Sequence, residues 1–402
     1  MGASKVHKEA NLNRFLLPAI GSILFSTFLS LISGHKYDLN IWLKTGELLA
    51  SRSDIYAPQD HIGYPPLWAF WCLISYYIHQ ALGHVIWLFF IKLPLIMLIP
   101  LLGYELFKLT NSYEAYVITL CLSPIYLISS VWGQINIIIS YLLVKFLNSF
   151  NRGKNLLSLF YLSTSLAVKP LHIIFIPYLL MLYRGWIRRI LGLAILLTIP
   201  AISLIITIFF FNVNLVNFIN TLYYQPMRLQ LTGYGLMNLW SFIALHPYYE
   251  PNPIISQIWI PAILIVTYLV YNRRIEVIRS LCLILFTYIF IYPWVSEATM
   301  VDALTLLIPI ALNYSSINTY ILTFFFTSAI SFNLMNGGLS LFDELLGMLS
   351  GLGLTGYLGS EFYDLYGRYI WTIRGIIGLI CSIAAILVII NVFRLKSQVA
   401  YQ

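Results

Sequence analysis

Charge is what this 402-residue sequence has least of: Asp, Glu, Lys and Arg together supply 9% of it, against roughly 25% in an average soluble domain. With 60% of residues apolar or aromatic, a soluble domain of this composition could not cover itself in water. Cysteine is scarce as well. Cys72, Cys121, Cys282 and Cys381 lie far apart in apolar stretches, with no CxxC and no neighbouring His, which favours packing roles over a disulfide framework or a metal site. Lys and Arg never cluster densely, and Gly and Pro are ordinary, so nucleic-acid-binding, collagenous and disordered classes are excluded. The start, MGASKVHKEANLNR, is followed by no small-residue cleavage site, so the first apolar run is expected to be a retained helix rather than a signal peptide. What is plentiful is long apolar runs, and a polytopic membrane protein with an all-α bundle is the class that remains.

Runs long enough to span, or nearly so, occur at about 15–34, 85–107, 114–130, 134–149, 155–168, 171–183, 189–212, 254–271, 277–293, 299–313, 317–335 and 369–393, taking about 20 residues as the norm. Twelve spans put both termini on one side. Lys5, Lys8, Arg14, Lys108, Lys145, Arg152, Lys154, Arg184, Arg188, Arg189, Arg273, Arg274, Arg279, Arg394 and Lys396 fall on that side, which the positive-inside rule makes cytoplasmic. Most acids fall in external loops, among them Asp38, Glu47, Asp54, Asp60, Glu250, Asp343, Glu344, Glu361 and Asp364. A functional site opening on the external face is therefore expected. Leu67 to Gln80 is also apolar, but counting it as a span would move six arginines and lysines outside. An aromatic helix lying at the interface, carrying Trp68, Trp71, Tyr76 and Tyr77, solves the parity better. The external loops are then about 35–84, 213–253 and 336–368, within a single transmembrane domain covering 1–402.

The first loop opens Gly34-His35-Lys36-Tyr37-Asp38, continues through Ile41-Trp42-x-x-x-Gly46 and Asp54-Ile55-Tyr56, and reaches Tyr64-Pro65-Pro66-Leu67. Tyr64 before proline is biased to extended geometry, and the proline pair can open a helix. These parts make a loop that descends, turns and lays a helix on the membrane, with the Asp38 carboxylate at its root. Lys169 lies in a short break between two predicted spans, where a lysine either snorkels to the interface or pairs with an anion. His172, one turn on, reads as a partner of Lys169 or as a packing histidine. Arg228 is the only cation of the loop at about 213–253, and it could hold a departing phosphate or be solvated. Gln134, after Trp132-Gly133, offers donors to sugar hydroxyls or caps backbone groups between two short spans. Glu297 and Asp302 border the membrane, Glu297 being the stronger site candidate. Asp54 and Asp60 read as loop acids, although Asp54 could share an acceptor pocket. Gly351-Leu352-Gly353-Leu354-Thr355-Gly356 fits GxGxxG but follows no strand, and the sequon Asn313-Tyr314-Ser315 is placed on the cytoplasmic side.

On these segments the sequence resembles the GT-C glycosyltransferases, polytopic enzymes that use polyprenyl-phosphate sugars. Asp38 after the first span, the Tyr-Pro-Pro-Leu and the interfacial helix are similar to their first luminal loop. Val131-Trp132-Gly133-Gln134-Ile135-Asn136, Ala167-Val168-Lys169-Pro170 and Gly235-Leu236-Met237-Asn238-Leu239-Trp240 resemble segments of mannosyltransferases related to those of GPI-anchor synthesis. Val295-Ser296-Glu297-Ala298 keeps the Glu of a further segment but has Ser296 in place of its His. The five segments run from about 35 to 300 in the family's order.

The resemblance implies transfer of a hexose, mannose above all, from a dolichyl- or polyprenyl-phosphate sugar to a glycolipid or lipid-linked glycan, with inversion. Asp38 would be the general base. Lys169, His172 and Arg228 would contact the donor phosphate, and Tyr64, Gln134, Asn136, Asn238 and Glu297 the sugar or acceptor. No cofactor, metal or nucleic acid is expected, since the first loop has no Asp-x-Asp and a lipid carrier removes the need for a nucleotide-binding domain. A transporter or flippase of lipid-linked sugars is the alternative, fitting the span number but not the lack of repeat symmetry.

Overall fold

The computed structural model describes residues 2–32, 34, 36–57, 63–224, 257–292, 295, 298–314, 327 and 358–395. Among them there is no strand. In chain order the helices are α1 (Gly2–Ile32), α2 (Lys36–Ala50), α3 (Leu67–Leu82), α4 (His84–Thr110), α5 (Tyr113–Cys121), α6 (Ser123–Tyr126), a π-helical turn (Leu127–Val131), α7 (Asn136–Asn151) and α8 (Asn155–Val168). A 3₁₀ turn (Pro170–Phe175), α9 (Ile176–Leu182), α10 (Trp186–Phe211), α11 (Leu215–Tyr224), α12 (Trp259–Asn272), α13 (Val277–Ile291), α14 (Thr299–Tyr314) and α15 (Leu358–Arg394) follow. Apart from that at about 317–335, of which only Thr327 is described, the described parts of the anticipated spans fall mainly on helical segments.

Four helices are long and apolar enough to cross a membrane, namely α4, α10, and the Asn13–Leu31 and Gly375–Arg394 parts of α1 and α15. A fifth crossing exists if the pair Tyr113–Cys121 and Ser123–Val131 is one span bent by 60°. The bend has a covalent cause. Pro124 can give no amide hydrogen and its ring would strike the carbonyl four residues back, so Leu122 turns extended and a new helix starts with the proline in its first turn.

Burial separates the lipid-like exterior from the centre. Along α10, Ile187, Ile190, Leu191, Leu197, Ile202 and Phe209 are exposed, an apolar surface that suits hydrocarbon better than water. By contrast, α14 is buried along nearly its whole length and packs against α4, α5, α7 and α13. It is the central post of the bundle.

The first loop is mostly not loop. Within it α2 packs against α3, and α3 in turn touches α4, α8 and α10. The sequence of α2 explains the helix in retrospect: Leu39, Trp42, Thr45, Gly46 and Leu49 are buried while Asn40, Lys44 and Glu47 face out, a spacing of three and four residues that makes one apolar stripe. Gly46 is needed where the two helices cross, because a Cβ there would lie 2.4 Å from the carbonyl oxygen of Cys72. The Pro65-Pro66 pair opens α3 as expected, with the Pro66 carbonyl accepting from the Ala69 amide at 3.0 Å.

Candidate active site

Asp38 sits in the first turn of α2, at the positive end of the helix dipole, where an ionised carboxylate is favoured. It is half-buried. The Gln134 side-chain amide donates to its Oδ2. Gln134 reaches that position because the π-helical turn is followed closely by Gly133, whose φ of 80° lies in the left-handed region that side chains disfavour. The Gln134 backbone N–H closes the turn on the Ile128 carbonyl at 3.0 Å. A widened turn of this kind redirects the chain between two helices.

Close to the Asp38–Gln134 pair runs a lysine that no sequence motif singles out. Lys92, in the middle of α4, has no exposed surface and donates to the Ser30 carbonyl at 2.9 Å. Ser30 belongs to the last turn of α1, whose carbonyls have no helical partner. A Cβ on Gly34 would lie 3.3 Å from the Lys92 ammonium and one on Gly133 would lie 3.6 Å from its Cε. Leu39 approaches both glycines. Lys92 and Leu39 therefore fill the space that Gly34 and Gly133 leave empty, and they tie together the segments bearing Asp38 and Gln134. A charge in the middle of a long apolar run was the available signal for Lys92.

Two residues beyond Gln134, Asn136 opens α7 and carries the second half of the site. Its Oδ1 accepts from the Lys169 ammonium at 2.8 Å and its amide donates to Asp302 Oδ2 at 2.8 Å. Only one orientation of the amide satisfies both neighbours, because a carboxylate only accepts and an ammonium only donates. Lys169 is the extended residue that ends α8, as its place before Pro170 requires. It is half-buried and its ammonium lies 4.9 Å from the centre of the Tyr64 ring, close enough for a cation–π contact.

Asp302 is wholly buried in the first turn of α14. Besides Asn136 it accepts from the Ser140 hydroxyl at 2.6 Å, and the Nε2 atom of His172 stands 3.4 Å from its Oδ1. Nδ1 of His172 lies 2.7 Å from the Ser165 hydroxyl. His172, itself without exposed surface, is thus one turn from Lys169 as anticipated, but both its nitrogens face protein groups. From the sequence alone Asp302 ranks below Glu297, and Ser140 and Ser165 carry no role. The signal was present for Ser140, four residues after Asn136 and hence on the same helix face.

A third cluster borders the site. Asp54 accepts from the Tyr56 backbone N–H at 3.0 Å and from the Asn217 amide of α11 at 2.7 Å. The Tyr56 hydroxyl donates to the Tyr64 carbonyl at 2.8 Å, and its ring meets Phe218 at 5.1 Å. Burial, with the Asp54 carboxylate beside it, pushes the Tyr56 hydroxyl well above the usual tyrosine range, so it stays a donor. Asp54 thereby fastens α11 to the first loop and props Tyr64 under Lys169.

Arg228, Asn238, Glu297 and Asp60 lie outside the described residues, as do Gly351–Gly356. Of the cysteines, Cys72, Cys282 and Cys381 are buried and Cys121 is exposed. No protein-family model matches the chain, and no curated protein matches it significantly.

Proposed function

We propose that the protein is a membrane glycosyltransferase that moves a hexose, mannose in the first instance, from a polyprenyl-phosphate carrier to a glycolipid or lipid-linked glycan. The bundle would have twelve spans, both termini in the cytoplasm and the site on the external face. One observation carries the reading: Asp38 and Lys169 are held at the two ends of the same Gln134-Ile135-Asn136 tripeptide. Two residue steps cover at most about 7 Å, so a potential base and a potential phosphate-binding cation share one short, braced segment.

In the mechanism, the acceptor hydroxyl hydrogen-bonds to the carboxylate of Asp38. As that hydroxyl oxygen bonds to the anomeric carbon, Asp38 takes its proton. The bond from that carbon to the phosphate oxygen breaks, and the lipid phosphate leaves with the electron pair. Charge grows on the phosphate as it departs, and an ammonium fixed beforehand at the right place stabilises that charge without reorganising. Gln134 aims the carboxylate, and Tyr64 keeps the Lys169 ammonium from swinging away. His172 we assign to Asp302 rather than to the phosphate, since it is wholly buried with Nδ1 bonded to Ser165 and Nε2 facing Asp302 at 3.4 Å.

The test is turnover by purified, reconstituted protein given polyprenyl-phosphate mannose and a membrane glycolipid extract, with and without a divalent-metal chelator. Product that persists in chelator and vanishes in Asp38→Asn supports the reading. Transport of the lipid-linked sugar between leaflets with no transfer in any condition would replace it with a flippase.

A further inference from the structure

We propose that Asp302 is the positioning residue of the phosphate site, acting on Lys169 through Asn136. This rests on the reading of Lys169 as the phosphate cation. The polar chain runs Asp302, Asn136, Lys169, with 2.8 Å at each link. Its direction is fixed from the buried end. Asp302 can only accept, so it draws the Asn136 amino group towards itself and thereby turns the amide oxygen to Lys169. Without the carboxylate, Asn136 could rotate and present hydrogens to the ammonium, which would repel it from its seat.

Asp302 is itself held from three sides, by Asn136, by Ser140 at 2.6 Å and by His172 at 3.4 Å. His172 is backed by Ser165 and lies against the Phe175 ring at 5.3 Å. The direct contacts come from α7 and the 3₁₀ turn, and α8 supports the latter through Ser165, so two elements converge on the α14 carboxylate and a third backs them. A buried ionised group is costly unless fully hydrogen-bonded, and here that arrangement ends on a half-buried lysine at the edge of the site. Its negative charge also balances Lys169 before a ligand arrives, so the ammonium can stay partly desolvated and ready for an anion.

The experiment measures binding of polyprenyl phosphate, without sugar, to purified protein in detergent, together with the melting temperature and the donor KM and kcat. Asp302→Asn should weaken phosphate binding by about tenfold or more, as expected for a misaligned charge-assisted contact, and raise donor KM more than it lowers kcat. The exchange variant carrying Asn136→Asp with Asp302→Asn keeps one carboxylate and one amide in contact. In it the carboxylate meets Lys169 directly, and phosphate affinity should recover relative to Asp302→Asn. A folded Asp302→Asn protein that binds the phosphate as tightly as wild type overturns the proposal, and so does a folded exchange variant with no recovery. Wild-type protein that does not bind polyprenyl phosphate overturns it too. Phosphate binding that follows the expected pattern in a protein that transfers no sugar instead defeats the glycosyltransferase reading and leaves the phosphate site standing.

Discussion

Asp38 and Asp302 make an instructive pair. Each lies in the first turn of a helix, where the dipole favours an anion, and each receives a side-chain amide from the same tripeptide. They differ in access. Asp38 is half-buried beside the Gln134 amide, whereas Asp302 has no exposed surface and three side chains directed at it. A carboxylate that must take a proton from an incoming hydroxyl needs a lone pair facing space. One that is wholly buried among fixed donors is placed to orient its neighbours instead. In the proposed mechanism burial, more than the residue type, divides the two into a base and a brace.

The sharpest way to break this comparison is to remove each charge without changing shape. Asp38→Asn should lower transfer by at least about 10²–10⁴, the range of general-base contributions, while the melting temperature stays near wild type. Asp302→Asn should reverse the balance, costing about 2–3 kcal/mol of stability as buried donors lose their ionised acceptor. Equal stability losses in the two variants would erase the distinction. Next in size comes Lys92→Met, which leaves the Ser30 carbonyl without its donor and should cost about 1–3 kcal/mol, read by thermal unfolding in detergent. If Lys92 also steadies the Asp38 segment, that variant loses transfer as well, while Lys92→Arg fails to restore it, because the space beside Gly34 and Gly133 is already filled.

Smaller effects belong to the third cluster. Asn217→Ala frees Asp54 from α11 and should cost about 1 kcal/mol, with a larger rise in acceptor KM than in donor KM. Tyr56→Phe should cost about 0.5–1.5 kcal/mol and change the alkaline limb of stability. Because the folded protein holds the Tyr56 proton more tightly than the unfolded chain does, its contribution is complete below the ordinary tyrosine value of about 10 and declines as pH rises beyond it. The Phe variant lacks that decline, so the difference between the two unfolding curves should narrow above about pH 10. A constant difference would mean that the hydroxyl titrates alike in the folded and unfolded chains.

Much of the framework was legible from hydropathy, since long apolar runs have few alternatives to helix in lipid. The break at Lys169 and the opening of α3 were legible because proline constrains its own residue and the one before it. Three things were hidden. The α2 helix was obscured by polar residues on its outer face, so its stripe of Leu39, Trp42, Gly46 and Leu49 read as loop. Lys92 was obscured by the apolar run around it. Asp302 looked like a membrane-border acid, because nothing in the chain between 136 and 302 announces that its two ends meet.

What the sequence by itself determined is the class of protein, the helical material and the candidate groups, since these follow from local composition and backbone sterics. Only the tertiary structure decided which carboxylate is half-buried and which is wholly buried, because that depends on groups brought from helices distant in the chain. Asn136 and Asp302 are hydrogen-bonded across a separation of 166 residues, and no local pattern encodes such a contact. It arises from α14 packing against α7 at the centre of the bundle, where desolvation compels a buried charge to find every partner within reach.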